Sequence, residues 1–264
     1  MKKDNQKPIG IFDSGIGGTS IWKEINALLP KESTIYLSDS KNAPYGQKTK
    51  EEILDLSIKN TELLINKGCK LVVVACNTAT TNAIDYLRNN YNLPIIGIEP
   101  AIKPASIQTK RGIIGILATK GTLNSRLFEQ TSATIDNSIT IIEQIGTGLV
   151  ELIENGKIHS TEMTNLLKKH LKPMLYSKCD YIVLGCTHYP YLIPQIKEIV
   201  GNTVRIIDSG EAVARQTKNI LIRENLISNS TVDIENIFYT NKDKTVLDLI
   251  LEDYKRATVA YLDF

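Results

Sequence analysis

Two stretches of this chain read nearly alike: VVVACNT at residues 72–78 and IVLGCTH at residues 182–188. Each is an aliphatic, β-branched run that stops at a cysteine and passes into small polar residues. A short apolar run without polar alternation fits a strand buried on both faces, as in parallel sheets covered by helices. The polar residues that follow suit a helix start, with Asn77 or Thr78 as its cap. Both thiols are thus expected at the carboxyl ends of parallel strands, where open α/β sheets bind their ligands.

The surrounding sequence alternates in the same way. PIGIFDSG at 8–15 and TIYLSDS at 34–40 read as strands, as do KLVVVAC at 70–76 and PIIGIEP at 94–100. Between them, GGTSIWKEINALLP carries Ile21, Ile25, Leu28 and Leu29 at helical spacing. KTKEEILDLSIKNTELLINKG reads as a long amphipathic helix ended by Gly68. The pattern then restarts. GIIGILATKGT at 112–122 echoes PIGIFDSGIGGT at 8–19, and ITIIEQI and YIVLGCT supply later strands. Cys69 precedes Cys76 as Cys179 precedes Cys186, in register. After RIIDSGEAVARQ, the segments VDIENIFYT, KTVLDLILEDYKR and ATVAYLDF read as strand, helix and strand returning to the first unit. The expected fold is α/β: two pseudosymmetric parallel-sheet domains, residues 1–98 with 208–264 and residues 99–207, facing each other across a cleft.

Composition narrows the function. In 264 residues, 42% are hydrophobic, 23% are charged and the net charge is +2. No basic block offers a footprint for nucleic acid. No apolar run approaches the roughly 18 residues of a membrane span. The start, MKKDNQKPIGIF, lacks the apolar region of a signal peptide, so a cytoplasmic location is expected. The four cysteines do not read as disulfides or a zinc site. The members of each pair are separated by strand, roughly 23 Å at about 3.3 Å per residue, whereas zinc ligands cluster two to four residues apart.

What remains is a cleft with one thiol on each wall. Inverting a stereocentre through a planar intermediate needs a base on one face and an acid on the other. Because the two enantiomers are mirror images, a duplicated unit with a duplicated thiol suits the task. A thiol, with its ordinary pKa of about 8.5, can serve in either protonation state. Asp13 beside Cys76, and His188 beside Cys186, are candidates to orient or deprotonate them. Ser14, Asn77, Thr78 and Thr187, with N–H groups at helix starts, form natural carboxylate cradles.

At these residues the chain resembles the cofactor-independent aspartate/glutamate racemase superfamily. The matching stretches are IGIFDSGIGG, APYGQKT, VVVACNTAT, IGIEPAIKPA, IGILATKGT, LGCTHYPYL and DSGEAVA, spanning residues 9 to about 215. The resemblance implies racemisation of glutamate, with aspartate as the alternative substrate, and a role in supplying D-glutamate for peptidoglycan. It implies Cys76 and Cys186 as acid/base catalysts assisted by Asp13 and His188. It implies substrate contacts from Asp13, Ser14, Tyr45, Gly46, Asn77, Thr78, Thr187 and His188. The family's further glutamate matches Glu151 in GLVELIENG, and Thr119 is a candidate substrate contact. No metal, pyridoxal phosphate or nucleotide is expected, and the expected assembly is a homodimer.

Rival readings are weaker. The glycine-rich turn DSGIGGTS could cradle a dinucleotide, but its spacing is not G-x-G-x-x-G and Asp13 would face the pyrophosphate. A non-catalytic amino-acid-binding module has no use for paired thiols. Cys69 and Cys179, at the opposite ends of their strands, read as buried hydrophobes.

Overall fold

The computed structural model describes residues 4–229 and 234–264. The start of the VDIENIFYT reading, Val232 and Asp233, lies outside the described residues, as do residues 1–3. Among the described residues, ten strands form two sheets: β1 Ile9–Asp13, β2 Thr34–Ser38, β3 Leu71–Val74, β4 Ile95–Gly97, β5 Ile113–Ala118, β6 Thr140–Ile145, β7 Tyr181–Gly185, β8 Arg205–Ile207, β9 Asn236–Thr240 and β10 Ala257–Tyr261. The order is β10-β9-β2-β1-β3-β4 in one sheet and β6-β5-β7-β8 in the other. Every pairing is parallel.

The repeat seen in the sequence is a repeat of topology. β1 lies between β2 and β3, with β4 beyond; β5 lies between β6 and β7, with β8 beyond. The late strands β9 and β10 extend the first sheet past β2. In each sheet the strand order reverses beside the central strand, between β1 and β3 and between β5 and β7. These are the switch points at which such sheets open a crevice. Cys76 follows β3 and Cys186 follows β7. The same strand end is built twice because both units present a thiol at the equivalent switch point.

The uninterrupted apolar runs follow from burial on both faces. Along β3, Leu71 and Val73 join a core that also takes in the second unit, while Val72 and Val74 pack on the other side of the sheet. Along β7, Ile182 and Leu184 enter the shared core and Tyr181 and Val183 the opposite one. Both patterns show the two-residue period of a strand. Full burial of each such side chain contributes roughly 1.5–3 kcal/mol. Cys69 and Cys179 belong to these cores. All four thiols are free. No helix among the described residues is long and apolar enough to cross a membrane.

Candidate active site

Cys76 and Cys186 line one cavity, together with Ser14, Pro44, Tyr45, Gly46, Asn77, Thr78, Thr119, Val150, Thr187 and His188. Cys76 is itself the cap of the helix Asn77–Asn90, its sulfur accepting the Ala79 N–H at 3.4 Å. It donates to the Ser14 hydroxyl at 3.7 Å. Burial drives the Cys76 thiol well above its ordinary range, and the Asp13 charge adds to this. The Ala79 N–H and the Ser14 hydroxyl pull the other way and are outweighed. Cys76 therefore rests as the neutral thiol.

The second thiol has a different neighbour. Cys186 Sγ lies 3.8 Å from His188 Nδ1, and His188 Nε2 lies 2.6 Å from Glu154 Oε1. The same Glu154 oxygen accepts the Ile16 N–H at 2.7 Å, and its other oxygen accepts the Ser40 hydroxyl at 2.8 Å. Burial opposes the imidazolium, but the bonds to Cys186 and Glu154 prevail and hold His188 well above its usual range. Burial likewise opposes the Glu154 carboxylate, and His188, Ile16 and Ser40 hold it below the usual carboxylate range. The two directions agree on a buried imidazolium–carboxylate pair beside Cys186.

Asp13 ends β1. Its Oδ2 accepts the Gly15 and Gly18 N–H groups at 3.2 and 3.0 Å, and its Oδ1 accepts the Thr187 hydroxyl at 3.2 Å. It meets Cys76 through charge; its hydrogen bonds go to the turn and to Thr187. Burial raises its pKa, against the His188 cation and the turn N–H groups. The turn needs its glycines for close approach. A Cβ on Gly15 would stand 2.0 Å from Glu154 Oε1, and one on Gly17 would stand 2.2 Å from His188 Nδ1. The glycine-rich loop that suggested a dinucleotide is instead filled by these two side chains.

The remaining sequence candidates divide. Asn77 Nδ2 is buried and has no hydrogen-bond partner among the described residues, leaving a donor at the cavity. Thr78 and Thr119 hydroxyls meet at 2.8 Å across the cleft. The Tyr45 hydroxyl turns away and donates to Asp39 at 2.5 Å. Glu151 stands apart from both thiols, accepting from Gln47 at 2.5 Å. Sequence reasoning missed Glu154, Ser40, Pro44 and Val150. Glu151 and Glu154 are three residues apart on the helix Leu149–Glu154, a spacing that shares one face, and nothing local separates them. Among the described residues no group of acidic, histidine and cysteine side chains is arranged to hold a metal ion.

The chain is similar in sequence and fold to known proteins. The family model described as Asp/Glu/Hydantoin racemase matches residues 9–217. The glutamate racemase of Herpetosiphon aurantiacus is 44% identical over 225 residues, 85% of this chain and 89% of that protein. A glutamate racemase isoform of Bacillus anthracis superposes with a TM-score of 0.87 at 31% identity, covering 98% of each chain. The Escherichia coli glutamate racemase, solved with L-glutamate and the activator UDP-MurNAc-Ala, gives 0.86 at 34% identity over 97% of this chain and 98% of its own.

Proposed function

The chain belongs to the Asp/Glu/hydantoin racemase family, and we infer that it interconverts L- and D-glutamate by proton transfer at Cα between two thiols. The observation that carries this reading is that Cys76 and Cys186 line a single cavity from equivalent strand ends. One thiolate takes the α-proton from one face, leaving a planar carbanionic intermediate. The opposite thiol gives its proton to the other face, and the two sulfurs exchange roles. No redox change occurs and no group leaves, so no cofactor is required.

The two walls prepare opposite roles. Cys76, kept neutral by burial and by Asp13, is ready as the acid. Cys186 has the His188 ring beside it, with Nδ1 3.8 Å from the sulfur and within reach to exchange a proton with it. Glu154 acts through His188 as a positioning residue, and Thr187 ties the Cys186 wall to Asp13. The free Asn77 amide and the Ser14 and Thr187 hydroxyls supply the donors that hold the substrate carboxylate in the intermediate. Residues 1–98 with 208–264, and residues 99–207, are the two units that close on the substrate. The D-glutamate formed would feed peptidoglycan synthesis.

Circular dichroism of the purified protein with each enantiomer of glutamate and of aspartate tests the reading. Glutamate optical activity should decay to zero from either side. Inversion of aspartate alone would overturn the substrate assignment.

A further inference from the structure

The cavity between the thiols measures about 10 Å³, room for about one water, whereas a ligand pocket is usually ~300 Å³ or more. A second cavity of about 180 Å³ adjoins it, and the two share Pro44, Gly46, Thr119 and Val150 as walls. An amino acid reaches the thiols only if these walls part. Gln47, in the segment after β2, and Glu151, in the segment after β6, both line the larger cavity. Gln47 Nε2 donates to Glu151 Oε1 at 2.5 Å. Among the described residues the Glu151 carboxylate has no other hydrogen-bond partner, and no bond links it to Cys186, His188 or Asp13.

Building on the racemase reading, we propose that the Gln47–Glu151 bond is the latch of the substrate route, parting to admit the amino acid and re-forming to seal the thiols from water. The bond spans the divide between the two sheets at the rim, outside the reacting groups. Its strength suits repeated opening. An exposed amide–carboxylate bond is weak in net terms because water competes for both partners. A lysine at position 47 would put charge on both partners and turn the bond into a tighter ion pair. Lys120, which lines the same cavity, offers a cation to an incoming carboxylate.

The test reads opening without turnover, so its failure is distinct from failure of the racemase reading, which the dichroism assay judges. Iodoacetamide alkylation of the native protein is followed by peptide mass spectrometry at all four cysteines. Cys69 and Cys179, buried in the cores away from the cavity, report general loosening. Gln47→Ala and Glu151→Ala should each speed alkylation of Cys76 and Cys186 several-fold and leave Cys69 and Cys179 unchanged. The double variant should be no faster than the faster single, because both remove one bond. Gln47→Lys should slow the same two sites. Unchanged rates at Cys76 and Cys186 in both alanine variants, equal acceleration at all four cysteines, or a double variant matching the product of the singles would each overturn the latch.

Discussion

Glu154 and His188 meet at 2.6 Å in the protein interior, and the same carboxylate reaches across to the Ile16 N–H and the Ser40 hydroxyl. One side chain thus helps Cys186 keep the imidazole charged and ties its helix to the turns after β1 and β2. Two jobs rest on a residue that touches neither thiol.

Glu154→Gln keeps the shape and removes the charge. His188 then loses one of the two groups that raise it, so its imidazolium should deprotonate at lower pH. The expected result is a kcat reduced about 10- to 100-fold, below the ~10²–10⁴ of a direct acid–base group. The alkaline limb of the pH–rate profile should move toward neutral pH, with KM changed little. A parental pH profile would show that Glu154 is only a structural tie.

Gly15→Ala attacks the same contact from the other side. The new Cβ would stand 2.0 Å from Glu154 Oε1, and the carboxylate must leave its partners. Breaking a buried charge pair costs roughly 3–5 kcal/mol, so the melting temperature should drop along with kcat. Gly201→Ala is the control. Its φ of +72° strains an alanine, but nothing lies within 4 Å of the added carbon; it should cost roughly 1–3 kcal/mol and leave kcat unchanged. Parental turnover in Gly15→Ala would show that the turn can yield, and that its glycine is not needed for the site.

The sheet pattern, the duplication and the thiol positions were legible because each depends on short-range features: apolar runs, punctuation and a cysteine at a repeated place. VVVAC and IVLGC declare burial on both faces without reference to the rest of the chain. Glu154 was not legible. Its role is set by Ile16, Ser40 and His188, which converge from three different strand ends, and Glu151 three residues earlier offers the same side chain on the same helix face. The Tyr45 side chain was equally hidden. Its place in APYGQKT marks the loop, but only the fold sends its hydroxyl to Asp39 and leaves Gly46 against Thr119, where a Cβ would stand 2.9 Å from the threonine Cβ.

Asp13→Asn should separate stability from activity. Burial raises the folded pKa of Asp13 above its ordinary value of 3.8. A carboxyl shifted in that direction contributes stability below its unfolded pKa and loses it as pH rises through the folded one. At neutral pH the charged form is therefore a net cost to the fold. Asparagine can still accept from Gly15 and Gly18 and meet the Thr187 hydroxyl. The variant should melt about 2–4 °C higher near neutral pH, the shift that ~1 kcal/mol gives in a chain of about this size. The advantage should shrink as the solution is acidified, while racemisation falls. A variant that melts lower than the parent at neutral pH, or whose advantage grows in acid, would show that the charge of Asp13 stabilises the fold.

The two thiols can be told apart by isotope exchange. The proposed mechanism has them act on opposite faces of Cα, from equivalent strand ends of two units lining one cavity. By resemblance to the superfamily, the expected outcome is that Cys76 acts on D-glutamate and Cys186 on L-glutamate. Each turnover needs a base on one face and an acid on the other, so Cys76→Ala and Cys186→Ala should each abolish net racemisation in both directions. The surviving thiol can still lift a proton and return a deuteron on its own side. In deuterium oxide, Cys186→Ala should exchange the α-proton of D-glutamate with retention, and Cys76→Ala that of L-glutamate, read by proton NMR and chiral chromatography. Cys186→Ala should be the slower of the two, because its remaining thiol, Cys76, is held neutral by burial and by Asp13. Cys69→Ala and Cys179→Ala, which alter only core positions, should stay within a few-fold of the parent once folded. Near-parental racemisation by either cavity variant would rule out the two-thiol mechanism, and exchange of the wrong enantiomer would reverse the assignment of faces while leaving that mechanism standing.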